Sequence, residues 1–441
     1  MSGYGVWGLE QAFPGRRDCT TPAMQRAVAD WFGLYFDDQI TLEEDPCQRL
    51  PVVVVSKLQR ACFAEYRAIC GEEFGRGVLR GLEEVRSKAM QLALIGGECW
   101  LRPALTPGEI GFTVLRRDAV AVLARDSRGR AVELVSGEEF RRGKEKYTLL
   151  ERRCQTGQGT LVENRLFCSR GGGLGMPVPL DRLPQYAALQ PRLLLEGVEQ
   201  LGLVNLRLPL ENCVDGSPDP VSVYAAAAGL IHNINRNERQ LCREFENGQS
   251  RVFAAADLLY RRPGGRQVLP AGLFVGLDDD PSATGITIFS PALRQQSFLE
   301  RKREYLRNLE SLIGLKRGLL GEVEAAQRTA TEVTSSQGDY ALTIRDLQLM
   351  WQQAAQQALA LCRKLAGLYG LPTGAGELVI DWGNGVLFDR EKAFAETLTL
   401  VEAGMLRPEI ALAWRYGLPW ETEQDLAAVR QKYMPVSAGG Q

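Results

Sequence analysis

The chain has 441 residues, 45% hydrophobic and 24% charged, with 52 Lys and Arg against 54 Asp and Glu. Those are ordinary globular proportions with length for two or three packed units, and a formal charge of −2 excludes the overall basic excess of a sequence-reading DNA binder, so nucleic-acid contact would be local. One histidine, His232, and ten cysteines without a C-x-x-C pair remove most zinc patterns and predict reduced, buried thiols.

The opening MSGYGVWGLEQAF lacks a basic region followed by an apolar run, and no stretch approaches about 18 uninterrupted apolar residues, so neither a secretory signal nor a membrane span is expected. A cytosolic site of synthesis follows. Residues 22–36 (PAMQRAVADWFGLYF) and 50–70 (LPVVVVSKLQRACFAEYRAIC) space their apolar positions helically. GVLRGLEEVRSKAMQLALIGGECWLRPAL predicts a helix over 77–95, a stop at Gly96 and Gly97, and a strand over 98–105. From Ile110 to Phe167 short alternating runs separated by turn residues predict an antiparallel sheet. The first half is therefore α+β.

In the second half, SPDPVSVYAAAAGLIHNINRNERQLCREFENG predicts a helix with Asp219 as N-cap and Pro220 at the first position, closing at Asn247 and Gly248. Ser290 and Pro291 open a second helix, in which Phe298, Tyr305, Leu309 and Leu312 keep helical spacing up to Gly314. The two helices bracket residues 249–289, whose segments RVFAAA, RQVLPAGLFVGL and TGITIF read as strands. A β insert of this size buries little core alone, so neighbouring copies of the chain are expected to complete it in a ring or other oligomer.

Next comes LKRGLLGEVEAAQR, a loop with Gly318 and Gly321, and then QRTATEVTSSQGD. Thr329 and Glu332 stand in capping-box spacing and mark a helix start. Tyr340, Ile344, Leu347, Trp351, Ala354, Ala358, Cys362 and Leu365 continue it as a long amphipathic helix, with Gly338 placed to kink it. Pro372, Gly374 and Gly376 mark a boundary, ELVIDWG reads as a short strand, and short helices follow. The closing PVSAGGQ is expected to be disordered.

Taken in order, LALIGGECWLRP, GKEKYTLLE, SVYAAAAGLIHNINRNERQLCREFENG, IFSPALRQQSFLERKREYLRNLESLIGL, RTATEVTSSQGDYALTI and FDREKAFAETLTLVEAGMLRPEIAL make the chain resemble the portal proteins of tailed bacteriophages, in the branch infecting Gram-positive bacteria. The resemblance covers most of the chain, and the order and spacing of the pieces are more specific than any one of them. It implies a ring, usually a dodecamer, at one vertex of the virion capsid, assembled in the host cytoplasm, through which double-stranded DNA is packaged and ejected. Implied partners are the terminase large subunit, the head-to-tail adaptor, and the major capsid and scaffolding proteins. Carried onto this chain, it assigns 1–215 to the wing, 219–248 and 291–314 to stem helices, and 249–289 to the clip. Residues 315–328 become the tunnel loop, 329–369 a long wing helix and 371–441 the crown. The alternative from another class is a helical oligomeric scaffold or minor capsid protein with no DNA path.

No catalytic constellation, cofactor site or metal site is read from the residues, and no enzyme activity is expected. There is no G-x-x-x-x-G-K-[ST] for a packaging ATPase. GGGLG at 171–175 leads into Met-Pro-Val-Pro and not a helix, which makes it a surface loop. Asp278, Asp279 and Asp280 lack the spacing of a calcium loop and read as a solvated turn. His232 reads as a packed or interface histidine. Seven basic residues (Arg294, Arg301, Lys302, Arg303, Arg307, Lys316, Arg317) against Glu300, Glu304 and Glu310 form either a solvated, internally paired helix face or the lining of a DNA tunnel. Lys316 and Arg317, with Arg328, are the tunnel candidates; Thr329, Glu332 and Gly338 are the cap and hinge.

Overall fold

In a computed structural model of the chain, residues 8–36, 48–106, 109–248, 251–255, 274–277, 286–289, 292–321, 330–383, 390–420 and 422–434 are described. Three helices open it: α1 (Leu9–Ala12), α2 (Pro22–Phe36) and α3 (Leu50–Cys62). Strand β1 (Arg67–Cys70) and helix α4 (Glu73–Gly96) lead into β2 (Glu98–Thr106), β3 (Glu109–Arg116), β4 (Val120–Arg125), β5 (Ala131–Arg142) and β6 (Glu145–Thr156). β7 (Gly159–Ser169), β8 (Met176–Val178), β9 (Arg192–Glu196) and β10 (Val204–Arg207) complete the first half. Helix α5 (Ala228–Asn247), strands β11 (Arg251–Ala255), β12 (Phe274–Leu277) and β13 (Ile286–Phe289), and helix α6 (Gln295–Ile313) follow. The chain closes with α7 (Ala330–Leu368), β14 (Leu378–Asp381), α8 (Arg390–Glu402), α9 (Pro408–Tyr416) and α10 (Glu423–Tyr433). The fold class is α+β with antiparallel sheets.

Two compact units result, one of Met1–Cys62 and Ile69–Val379, the other of Phe63–Ala68 and Ile380–Gln441. In the larger unit, α4 is the central helix because its apolar residues recur on a broad face: Val78, Leu82, Ala89, Met90 and Leu92 to Ile95 are all buried. It packs on β2 and β3 and receives α2, α3 and α7, which bring Trp31, Phe32, Val54, Leu58, Trp351, Ala358 and Cys362 into one apolar interior. The helix stops at Gly97, whose φ of +83° is left-handed. A Cβ there would stand 2.6 Å from Val221 N, so the close approach also demands glycine.

Strands β10, β2 and β3 form one sheet, and β4 to β8 a second in which β9 also pairs with β7, over Gly159–Glu163. The alternation of the first half is thus an antiparallel sheet, with a register running from Lys146↔Ser169 to Thr156↔Gly159 between β6 and β7. In the third sheet β11 is central, parallel to β12 and antiparallel to β13. It lies between α5 and α6 in the chain, where the bracketed insert is expected. Asp278, Asp279, Asp280, Ser290 and Pro291 lie outside the described residues, as does PVSAGGQ.

In the smaller unit, Phe63 meets Tyr66 edge-on at 5.4 Å, and Trp382 lies 5.1 Å from the Tyr66 ring. Arg430 Nε donates to Glu409 at 2.6 Å, and Thr422 and Asp425 close a reciprocal capping box on α10.

Four expectations change. The helical spacing over 50–70 ends at Cys62, because Phe63 and Tyr66 turn to Trp382 and residues from Arg67 enter a strand. Helix α4 starts a turn earlier than Gly77, at Glu73. Asp219 caps no helix: α-helix begins only at Ala228, after a 3-10 turn at Ala225–Ala227. The thiols among the described residues are free, but Cys19, Cys213 and Cys242 are exposed while Cys62, Cys70, Cys99 and Cys362 are buried.

Candidate functional site

The region that the sequence marks for function begins where the chain leaves the α+β first half. Asp219, 3% exposed, accepts from Arg117 Nη2 at 3.0 Å and also from Arg125. Arg117 has no exposure at all and lies 3.3 Å from the Glu98 carboxylate, itself 1% exposed. Its remaining donors reach Thr20 Oγ1 at 3.0 Å and the Val120 carbonyl at 3.2 Å. Residues 219–224 therefore lie flat on the end of α4: Val223 N donates to Leu94 O at 3.0 Å, Ser222 Oγ to the same carbonyl at 3.1 Å, and the buried Tyr224 hydroxyl to Trp31 O at 2.8 Å. An ion pair with a partner about 100 positions away defeats the local N-cap, since a buried carboxylate gains more from two guanidiniums than from a helix amide. This arrangement fixes where α5 departs.

Helices α5 and α6 run antiparallel. Arg294 pairs with Glu244 at 2.7 Å, Lys302 with Glu238 at 2.8 Å, and Asn237 Nδ2 donates to Phe298 O at 3.1 Å. Arg294 holds the Glu244 carboxyl below its usual range, chiefly through that hydrogen bond. Arg307 faces Glu304 at 4.0 Å and Arg301 Nε reaches the Tyr305 hydroxyl at 2.8 Å. Much of the basic run is thus engaged along or across the hairpin, as the solvated-face reading expects. His232 pairs with Asp30 of α2 at 2.9 Å, and both side chains are nearly half exposed.

Helix α6 ends at Gly314, with φ +72°. Leu315 is buried, and its N–H returns to Glu310 O at 2.8 Å. The Glu310 side chain, in a residue only 2% exposed, accepts from Gly318 N at 2.8 Å and Leu320 N at 2.7 Å. One carboxylate thus folds the first part of the loop over the helix end, and this loop carries half-buried Lys316 and exposed Arg317. Beside it, Leu208, Val221, Val223, Leu312, Ile313 and Leu347 line a cleft of about 180 Å³.

Arg328 and Thr329 lie outside the described residues, and so does the Glu332 side chain. Helix α7 does begin at Ala330, next to Thr329, and runs 39 residues without interruption through exposed Gly338, a length of about 58 Å. The structure sets Glu310, which the sequence marks only as one acid in a charged helix face, against the amides of Gly318 and Leu320 in the loop that carries Lys316 and Arg317. It also supplies Arg117 and Arg125 as partners of Asp219, and Glu98 as a second carboxylate on Arg117, for which no local pattern exists.

Among the described residues no three His, Cys, Asp or Glu side chains gather as metal ligands, and no helix is long and apolar enough to cross a membrane. Comparison with known protein families finds no match, and neither does comparison with curated proteins.

Proposed function

We propose that the chain is a portal subunit: a non-enzymatic protein that assembles into a capsid-vertex ring, through which double-stranded DNA is packaged and ejected. One observation carries the reading, namely the order of elements. An α+β body, an antiparallel helix pair bracketing a three-stranded sheet, a short pinned loop and a 39-residue helix follow one another, in the sequence of wing, stem, clip, tunnel loop and long wing helix that the resemblance implies. On this reading 371–441 form the crown, and the clip sheet is the docking site for terminase and adaptor.

The electrostatics are compatible with a conduit. Each phosphate contact adds affinity through counterion release, so a passage for moving DNA is served by sparse cations among acids better than by a continuous basic groove. The paired charges along α5 and α6 have this character, and Lys316 and Arg317 at the loop are the cations placed to meet the duplex.

Electron microscopy of the purified protein, viewed down its symmetry axis, tests the proposal. A ring with a central hole wide enough for a duplex is expected; an oligomer without a hole would support the scaffold alternative, and a strict monomer would overturn both. Changing Lys316 and Arg317 to Ala should leave folding nearly unchanged, because loop charges contribute about 0–1 kcal/mol, yet alter packaging or DNA retention. Unaltered packaging would remove these two residues from the tunnel.

A further inference from the structure

The hairpin end of the six-stranded sheet, far in sequence from the stem, carries a second charged surface. Register Arg142↔Glu145 between β5 and β6 sets these two residues opposite each other, and Arg170 follows directly on Ser169, the end of β7, which pairs with Lys146. Glu145 Oε1 accepts from Arg170 Nη2 at 2.8 Å and Nε at 3.2 Å, and its Oε2 accepts from the Tyr147 hydroxyl at 2.7 Å. The same phenol faces the Arg182 guanidinium, whose protonated form is favoured first by Tyr147 and then by Glu145. Two guanidiniums, those of Arg170 and Arg182, thus act on one carboxylate, and exposed Arg142 stands opposite Glu145 in the strand register. Arg141 and Lys144 add exposed cations at the tip, while Lys146 is matched by Glu139 at 2.7 Å.

The neighbouring row is Phe140↔Tyr147↔Cys168↔Met176. Tyr147 is covered by Leu183 and Tyr186, so the row surfaces at its ends, where Phe140 is 38% and Met176 72% exposed. Strand β8 is a three-residue edge containing Pro177 and followed by Pro179. A proline edge offers few N–H groups and resists extension by another strand. Whatever binds here must be held by side chains.

We propose that this sheet end docks an acidic, partly apolar segment of another protein, with carboxylates entering among Arg142, Arg170 and Arg182 and an apolar side chain covering Met176. Arginine forks match carboxylates bidentately, and Arg, Met and aromatic residues are the side chains enriched in protein interfaces. Duplex DNA fits less well, because its dense line of phosphates would meet Glu138, Glu139 and Asp181, which stand in the same chain segments as the arginines, whereas a peptide can set its few carboxylates against the arginines alone. The inference does not depend on the stem or on DNA passage.

The test is fluorescence anisotropy of the full-length chain with three labelled probes: a peptide of Glu and Leu, a peptide of Glu and Ser, and a 15-base-pair duplex. Saturable binding of the Glu–Leu peptide is expected, weakened about tenfold or more by Arg142→Glu with Arg170→Glu and about three- to tenfold by Met176→Ser, with recovery in Met176→Leu. Arg142→Lys with Arg170→Lys keeps the charge and the fold but loses the fork, and should still weaken binding several-fold. Equal or tighter binding of the duplex, lost with the same arginines, would make this a nucleic-acid surface and overturn the proposal. So would peptide binding indifferent to both the Lys pair and Met176→Ser, or no saturable peptide binding.

Discussion

Arg117→Met probes the charge cluster that fixes the departure of α5. Methionine keeps much of the apolar stem and removes the cation. Glu98 is then left with Asn205, 3.1 Å away, and Asp219 with Arg125 and Ser217. Since Arg117, Glu98 and Asp219 are 0%, 1% and 3% exposed, water cannot replace the missing charge, and breaking such a buried pair from one side costs about 3–5 kcal/mol. By contrast, Arg130, whose side chain is 61% exposed in its pair with Asp126, should cost about 0–1 kcal/mol on change to Met. Urea unfolding reads the global loss. Amide exchange reads it locally, at Val223 N, bonded to Leu94 O, and at Leu208 N, bonded to Gly97 O. If these amides open with the cluster, about 3–5 kcal/mol corresponds to exchange faster by two to three and a half decades. Adding Glu98→Gln to Arg117→Met should recover much of the loss by removing the stranded charge, while Asp219 keeps its pair with Arg125. A cost under about 1 kcal/mol, or a double variant no better than the single one, would show that the cluster is not electrostatically coupled and would refute the argument.

Gly97→Ala should destabilise the larger unit by about 1–3 kcal/mol from backbone conformation alone, and more through the approach of its Cβ to Val221 N; unchanged thermal unfolding would contradict the close packing there. Glu310→Ala should cost about 1.5–3 kcal/mol locally and raise exchange at Gly318 and Leu320 while leaving the middle of α6 protected; equal protection of those two amides in both proteins would show that the carboxylate does not pin the loop. A thiol reagent at mildly alkaline pH should modify exposed Cys213 and Cys242 first. Burial pushes Cys62 and Cys362 up to about 12 and Cys99 higher still, so these three should react only on unfolding, and mass spectrometry after brief labelling decides it.

Much of the fold was legible because it is local. The apolar periods of α2, α4 and α7, the alternation of β3 to β7, and the glycine stops at Gly97 and Gly314 each depend on residues a few positions apart. The bracketed strand module was legible for the same reason, with helix before it, helix after it, and turn signals between. Within the candidate site, Lys316 and Arg317 could be placed on the loop from Gly314 and Gly318 alone. The carboxylate that holds that loop could not, since Glu310 has the same spacing as any solvated acid until Leu315 folds back and aims two amides at it.

What tertiary structure decided is where long-range partners outbid local signals. Asp219 before Pro220 reads as a helix start, yet Arg117 and Arg125 claim its oxygens from 102 and 94 residues away. Phe63 and Tyr66 extend the apolar spacing of α3 but turn to Trp382, and cysteine exposure follows from which helix faces happen to be covered. Periodicity and capping act through neighbours on the chain and so are written into the amino-acid order of this protein. Ion pairing, aromatic contact and burial act through space, and only the packed fold determines which groups meet.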